Sequence, residues 1–341
     1  MRRRLIEVLG RRRVYICAVL VCFGLIGIVF GFTFSTSKKP VNININKDVH
    51  TSGFTITGVE LPKEIDFAGE RVPLENFDVK EALERELLIN SYWQSQTIML
   101  IKKSTRYFGL IEPILKKMNI PNDFKYLSLA ESGFSNVTSP IGAVGFWQFI
   151  PATAKDYGLE VNDEVDERYH IEKSTKAACM FLKESYKVYK TWSMAAASYN
   201  AGRKALNKQI ERQYTDYYYD ILLNEETSRY IFRIIALKLI LTNPKKYGYN
   251  LSPEDFYQPI PFTEISVNKE IKDLAQFAFD KGTNYKMLKV LNPWLRDNFL
   301  TNTNGKTYVI KIPATGFRTF AKKLNKEDVD SIVTQSEEVV Q

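Results

Sequence analysis

Between residues 78 and 250 the apolar positions recur mostly at helical spacing, with charged side chains interleaved as on half-exposed helices. Val79–Ile89 and Ser95–Lys117 read as two such helices. Asn122–Glu131 reads as a short helix in which Phe124, Leu127 and Glu131 fall at i, i+3 and i+7 and share one face; Gly133 supplies its stop. Further helices are expected from Pro151 to near Gly158, over Lys173–Lys190, over Trp192–Ala197 and over Glu225–Leu241, with Pro244 and Gly248 ending the last. Tyr199 and Asn200 are expected in a turn set by Gly202. After Pro259-Ile260-Pro261 the pattern changes to a βααβ order. Phe262–Val267 reads as a strand, Ile271–Phe279 and Tyr285–Leu291 as helices, and Thr307–Ile312 as a closing strand. Residues 320–341 read as a charged helix or tail.

The helix ending at Glu131 aims a carboxylate along the face that Phe124 and Leu127 bury. A carboxylate there costs stability unless it is paired or protonated. Desolvation raises its pKa, and a neutral carboxylic acid near pH 7 is what a general acid has to be. Phe134, Phe146, Trp147 and Phe149 follow, with Gln148 among them, surfaces of the kind that line sugar clefts. The competing reading is a capped core helix whose last carboxylate escapes to solvent.

Four blocks occur in order: Glu131-Ser132, the run Gly142-Ala143-Val144-Gly145-Phe146-Trp147-Gln148, Ser198-Tyr199-Asn200-Ala201-Gly202, and Glu226-Thr227-Ser228-Arg229-Tyr230. Together they resemble the lytic transglycosylases of the soluble-lytic type, most closely the membrane-bound lytic murein transglycosylase D group. The resemblance implies a mainly α chain with a lysozyme-like all-α catalytic domain at 119–250. It implies a single acid/base, Glu131, acting on the bond between N-acetylmuramic acid and N-acetylglucosamine and leaving 1,6-anhydromuramyl ends. It also implies that Ser132, Ser139, Gln148, Tyr199, Asn200 and Tyr230 hold sugar and acetamide groups and orient Glu131; Trp147, large enough for core or cleft, is read separately as facing the cleft. Leu291-Asn292-Pro293 and Ile312-Pro313 resemble landmarks of a LysM glycan-binding module, placing a small α+β module at 261–313 with an insertion at 297–305. A hydrolytic, goose-type-lysozyme-like muramidase and an inactive wall-binding scaffold are the alternatives. Asp156, Asp163, Glu164 and Asp166 are the candidates for a second carboxylate.

The net charge of +8 suggests nucleic acid at first sight, but six arginines against Glu7 in residues 1–13 supply +5 of it. No nucleic-acid partner is therefore expected. Val14–Phe34 carries no charge and as a helix would span about 31 Å, close to the roughly 30 Å hydrocarbon core. With the basic tail ahead of it, this predicts an uncleaved transmembrane anchor, a cytoplasmic N-terminus and an extracytoplasmic, periplasmic remainder. Residues 35–77 would then be a linker, 78–118 a helical extension and 314–341 a charged tail. Cys17 and Cys22 fall in the expected span, so Cys179 has no partner and reads as a small buried hydrophobe. With His50 and His170 the only histidines, a histidine-rich metal site or a Ser-His-Asp triad has little material. No metal or cofactor is expected.

Overall fold

The computed structural model describes residues 58–319, 324 and 326–340. The expected basic tail, the span 14–34 and the first part of the linker lie outside them. Among the described residues no helix is long and apolar enough to cross a membrane.

Helices α1 (Phe77–Tyr92) and α2 (Gln94–Lys117) lead into α3 (Phe124–Ser132) and the short α4 (Pro151–Asp156). They are followed by α5 (Ile171–Tyr189), α6 (Trp192–Ala201), α7 (Arg203–Gln213) and α8 (Glu225–Thr242). Helix α8 is central: Tyr230, Ile231, Ile234, Ile235, Ala236, Leu237 and Ile240 are all buried, and it packs on α1, α3 and α6. Helix α6 can come close because Ala195, Ala196 and Ala197 are fully buried without bulk. It runs on to Ala201, so Tyr199 and Asn200 sit on its last turn rather than in a turn beyond it. Gly202, at φ +78°, ends it.

The segment before α1, expected to be linker, is in part built into the fold. Strands β1 (Asp66–Phe67) and β2 (Glu70–Arg71) form a hairpin. Phe67 is fully buried, its ring edge-on to Phe124 at 5.5 Å. The Glu70 carboxylate accepts hydrogen bonds from the Trp192 and Ser193 N–H groups, the latter at 2.9 Å, and so caps α6 from outside.

The C-terminal part follows the expected βααβ order. Strand β3 (Phe262–Val267) pairs antiparallel with β4 (Tyr308–Pro313), from Phe262↔Pro313 to Val267↔Tyr308. Between them lie α9 (Leu274–Asp280) and α10 (Tyr285–Leu291), whose first amides are taken by the side chains of Asp273 and Asn284. That cap is why α9 begins at Leu274 rather than Ile271. A last helix, α11, covers Lys326–Val340.

Candidate active site

Glu131 occupies the last turn of α3. Gly133 closes that helix at φ +55°, its N–H donating to Leu129 O at 2.8 Å. Because α3 packs on α8, the partly buried Glu131 meets Tyr230, which is 1 % exposed and donates its hydroxyl to Glu131 Oε1. Burial pushes the Glu131 carboxyl up from its ordinary 4.5 to about 7. The Tyr230 hydrogen bond and the Arg233 guanidinium oppose that rise, and Glu226 adds to it. The Tyr230 and Tyr199 hydroxyls are driven well above their usual range, by burial first and then by the nearby Glu131. The phenols therefore stay donors while the carboxyl sits where it can give or take a proton near neutrality.

A cleft of about 410 Å³ opens beside Glu131, lined also by Ser139, Gln148, Tyr199 and Asn200. Tyr199 donates its hydroxyl to Trp147 O at 2.7 Å, and Asn200 Oδ1 accepts from Thr227 Oγ1 at 2.8 Å. Ser139 is fixed in a tight turn: its N–H donates to Ala143 O, and its Oγ accepts from the Ala143 N–H, both at 2.9 Å. Gln148, at φ +48°, donates from Nε2 to Gly145 O at 2.9 Å. Among the described residues lining the cleft, Glu131 is the one carboxylate.

Two of the sequence-predicted residues stand elsewhere. Ser132 is buried; its Oγ donates to Ser128 O and Phe146 O at 3.2 and 3.1 Å and accepts from the Phe134 N–H, tying α3 to the 142–149 segment. Trp147, expected to face the cleft, is fully buried, because Thr175 Oγ1 satisfies its indole N–H at 2.8 Å and lets the whole ring enter the core. Phe134 and Phe146 are likewise core; of the four aromatics expected along a sugar cleft, only Phe149 lines it. Of the candidate second carboxylates, Asp166 is paired with Arg168, and Asp163 and Glu164 line a separate groove. His170 stacks on Trp294 at 5.7 Å, on the side of the chain facing the C-terminal module.

Phe181, Ile141 and Thr153 also line the cleft and were not singled out in the sequence. Phe181 is wedged between Tyr199, 5.1 Å away, and the Arg203 guanidinium at 4.4 Å, a contact that no short-range spacing announces. Thr227 had a signal, since it lies inside the Glu226–Tyr230 block.

Residues 110–221 match the family model described as transglycosylase SLT domain, and residues 263–316 that described as soluble lytic transglycosylase C-terminal LysM-like domain. The resemblance read from the four blocks is thus upheld, and the βααβ element is LysM-like. Membrane-bound lytic murein transglycosylase D of Escherichia coli (strain K12) is 28 % identical over 253 residues, covering 72 % of this chain and 54 % of that protein. The protein of the same name from Escherichia coli O6:H1 aligns identically well. A putative tributyltin chloride resistance protein of Alteromonas sp. (strain M-1) is 30 % identical over 121 residues, 35 % of this chain and 58 % of that one. The chain spans about half the length of the curated relatives it matches.

Proposed function

We propose that this chain is a peptidoglycan lytic transglycosylase. It cleaves the β-1,4 bond between N-acetylmuramic acid and N-acetylglucosamine, leaves 1,6-anhydromuramyl ends, and uses Glu131 as its single acid/base. The observation that carries the reading is the Glu131 carboxyl: alone of its kind on the described cleft wall, held near a pKa of 7 by burial, with one oxygen fixed by Tyr230. The match to the SLT domain and the likeness to murein transglycosylase D support the same chemistry.

In this mechanism neutral Glu131 protonates the glycosidic oxygen as the C1–O bond breaks. With no second carboxylate on the described wall, the positive charge developing on the muramyl ring is met by the substrate's own acetamide. Glu131, now a carboxylate, takes the proton of the C6 hydroxyl as that oxygen bonds to C1. The proton is returned and no water is consumed. Tyr230 fixes which Glu131 oxygen is free to act. Ser139, Gln148, Tyr199 and Asn200 offer polar groups along the cleft for hydroxyls and acetamides. The chain would act from the periplasmic side of the inner membrane, anchored by residues 14–34.

Mass spectrometry of fragments released from sacculi by the wild type and by Glu131→Gln tests the reading. Fragments lighter by one water than their hydrolytic counterparts, and absent with Glu131→Gln, are expected. Water-bearing reducing ends would make the chain a muramidase, and wild-type release by Glu131→Gln would end the enzyme assignment.

A further inference from the structure

The LysM-like module shares a core with the catalytic domain. Val144, Val165 and Tyr169 are buried in the same apolar cluster as Leu288, Trp294 and Leu295. The contact is also made by backbone. Val165 and Leu295 form an antiparallel bridge; the Asp166 N–H donates to Trp294 O at 2.8 Å, and the Arg296 N–H to Glu164 O at 2.7 Å.

That bridge ends on a buried ion pair. The Asp166 carboxylate takes Arg168 Nε and Nη2 at 2.9 and 2.7 Å, and the two residues are only 6 and 7 % exposed. The third corner of the same guanidinium, Nη1, donates to Gly142 O at 2.8 Å and to Phe149 O at 3.1 Å. Gly142 and Phe149 bracket the segment that carries Ala143 and Gln148 into the cleft wall. The Arg168 carbonyl closes over the middle of that segment, since a Cβ on Gly145 would lie 2.0 Å from it. A buried pair of this kind pays a large desolvation cost, and its purpose is better sought in what it holds in place than in net stability.

We propose that Asp166 and Arg168 are positioning residues for the cleft wall at 139–149, and that the LysM-like module clamps that wall through its backbone pairing with residues 164–166. The module is then a fixed part of the catalytic unit as well as, or instead of, a glycan-binding arm. Lysine cannot replace Arg168, because one ammonium cannot hold a carboxylate edge-on while reaching two carbonyls on its far side. The proposal rests on the reading of this cleft as the substrate site, but its test does not.

The test is amide hydrogen exchange, followed by mass spectrometry, on the full chain without substrate. Three variants are compared with wild type: Arg168→Lys, Arg296→Pro, which removes the N–H bound to Glu164 O, and Arg296→Ala, which keeps it. Peptides covering 139–149 should exchange at least about tenfold faster in Arg168→Lys and Arg296→Pro, as expected when a bond holding a locally opening segment is lost. Those covering α5 and α8 should stay as protected as in wild type, and Arg296→Ala, which keeps the N–H but gives up the guanidinium over the Tyr169 ring at 4.1 Å, should exchange more slowly at 139–149 than Arg296→Pro. On soluble glycan strands the two loosened variants should show a raised KM with the pH profile of kcat unchanged. Two results would overturn the proposal: unaltered protection of 139–149 in Arg296→Pro, or loss of protection spread evenly over all three regions. Failure of the glycan reading alone would leave the exchange pattern intact.

Discussion

Glu131 is held in a site that disfavours its own charge. Its folded pKa of about 7 lies above the ordinary 4.5, so the native chain binds this proton more tightly than the unfolded one. Stability from this group is therefore full below pH 4.5 and is lost as pH rises through 7, a cost of about 3 kcal/mol on the alkaline side. Glu131→Gln should abolish turnover and yet raise the unfolding midpoint at pH 8 relative to wild type, with little difference at pH 4; a variant less stable than wild type at pH 8 would contradict this. Turnover by the wild type should fall above about pH 7, where the proton donor is lost. Tyr230→Phe removes a hydrogen bond that lowers the Glu131 pKa, so that alkaline limb should move to higher pH while the maximum rate falls. The helical spacing made Glu131 legible, because it places the carboxylate beside Phe124 and Leu127. It could not decide which way Trp147 points, since that depends on Thr175, 28 residues away.

The larger helices were legible from periodicity, yet the ends that matter for the site were set by contacts far off in sequence. Tyr199-Asn200-Ala201-Gly202 looks like a turn in isolation, and it stays helical as far as Ala201 because Tyr199 is tied to Trp147 O and Asn200 to Thr227. The hairpin at 66–71 has strands of two residues, too short for an alternating pattern to show. Its consequence is measurable. Glu70 takes two free amides at the start of α6, so Glu70→Ala should cost about 1–2 kcal/mol, read as a lower unfolding midpoint, and should loosen the helix that carries Tyr199 and Asn200. Gly145 was legible as part of a block but not as a close approach. With φ at +78° and the Arg168 carbonyl against its missing Cβ, Gly145→Ala should destabilise by about 3 kcal/mol or more and deform the cleft wall. Retention of both wild-type stability and turnover would count against this account of the wall.

At the scale of the molecule the boundary near Pro259 marks a change of secondary structure without marking a change of core. The sequence pattern shows the first, because apolar spacing shifts from helical to βααβ there. It is silent on the second, since Val144, Val165 and Tyr169 look like ordinary apolar positions of the helical part until Trp294 and Leu295 are seen against them. A module hung on a linker would leave the rest of the chain as stable alone as joined. A shared core requires the opposite. Uncovering three apolar side chains costs roughly 1.5–3 kcal/mol each, a large part of the 5–15 kcal/mol typical of a folded domain. Loss of Lys311 would take one partner from Glu172, leaving it His170, and loss of Lys306 would take one from Glu167, leaving it Lys173, and the lysine from Glu160. Residues 58–260 expressed alone should therefore unfold at a temperature at least about 10 °C below that of residues 58–319, as a loss of several kcal/mol implies for a chain of this size. They should also bind a hydrophobic dye through the bared Val165 and Tyr169 face. Equal unfolding temperatures for the two pieces would mean that the module is only attached to the helical part, and that the contact at 164–166 holds nothing in place.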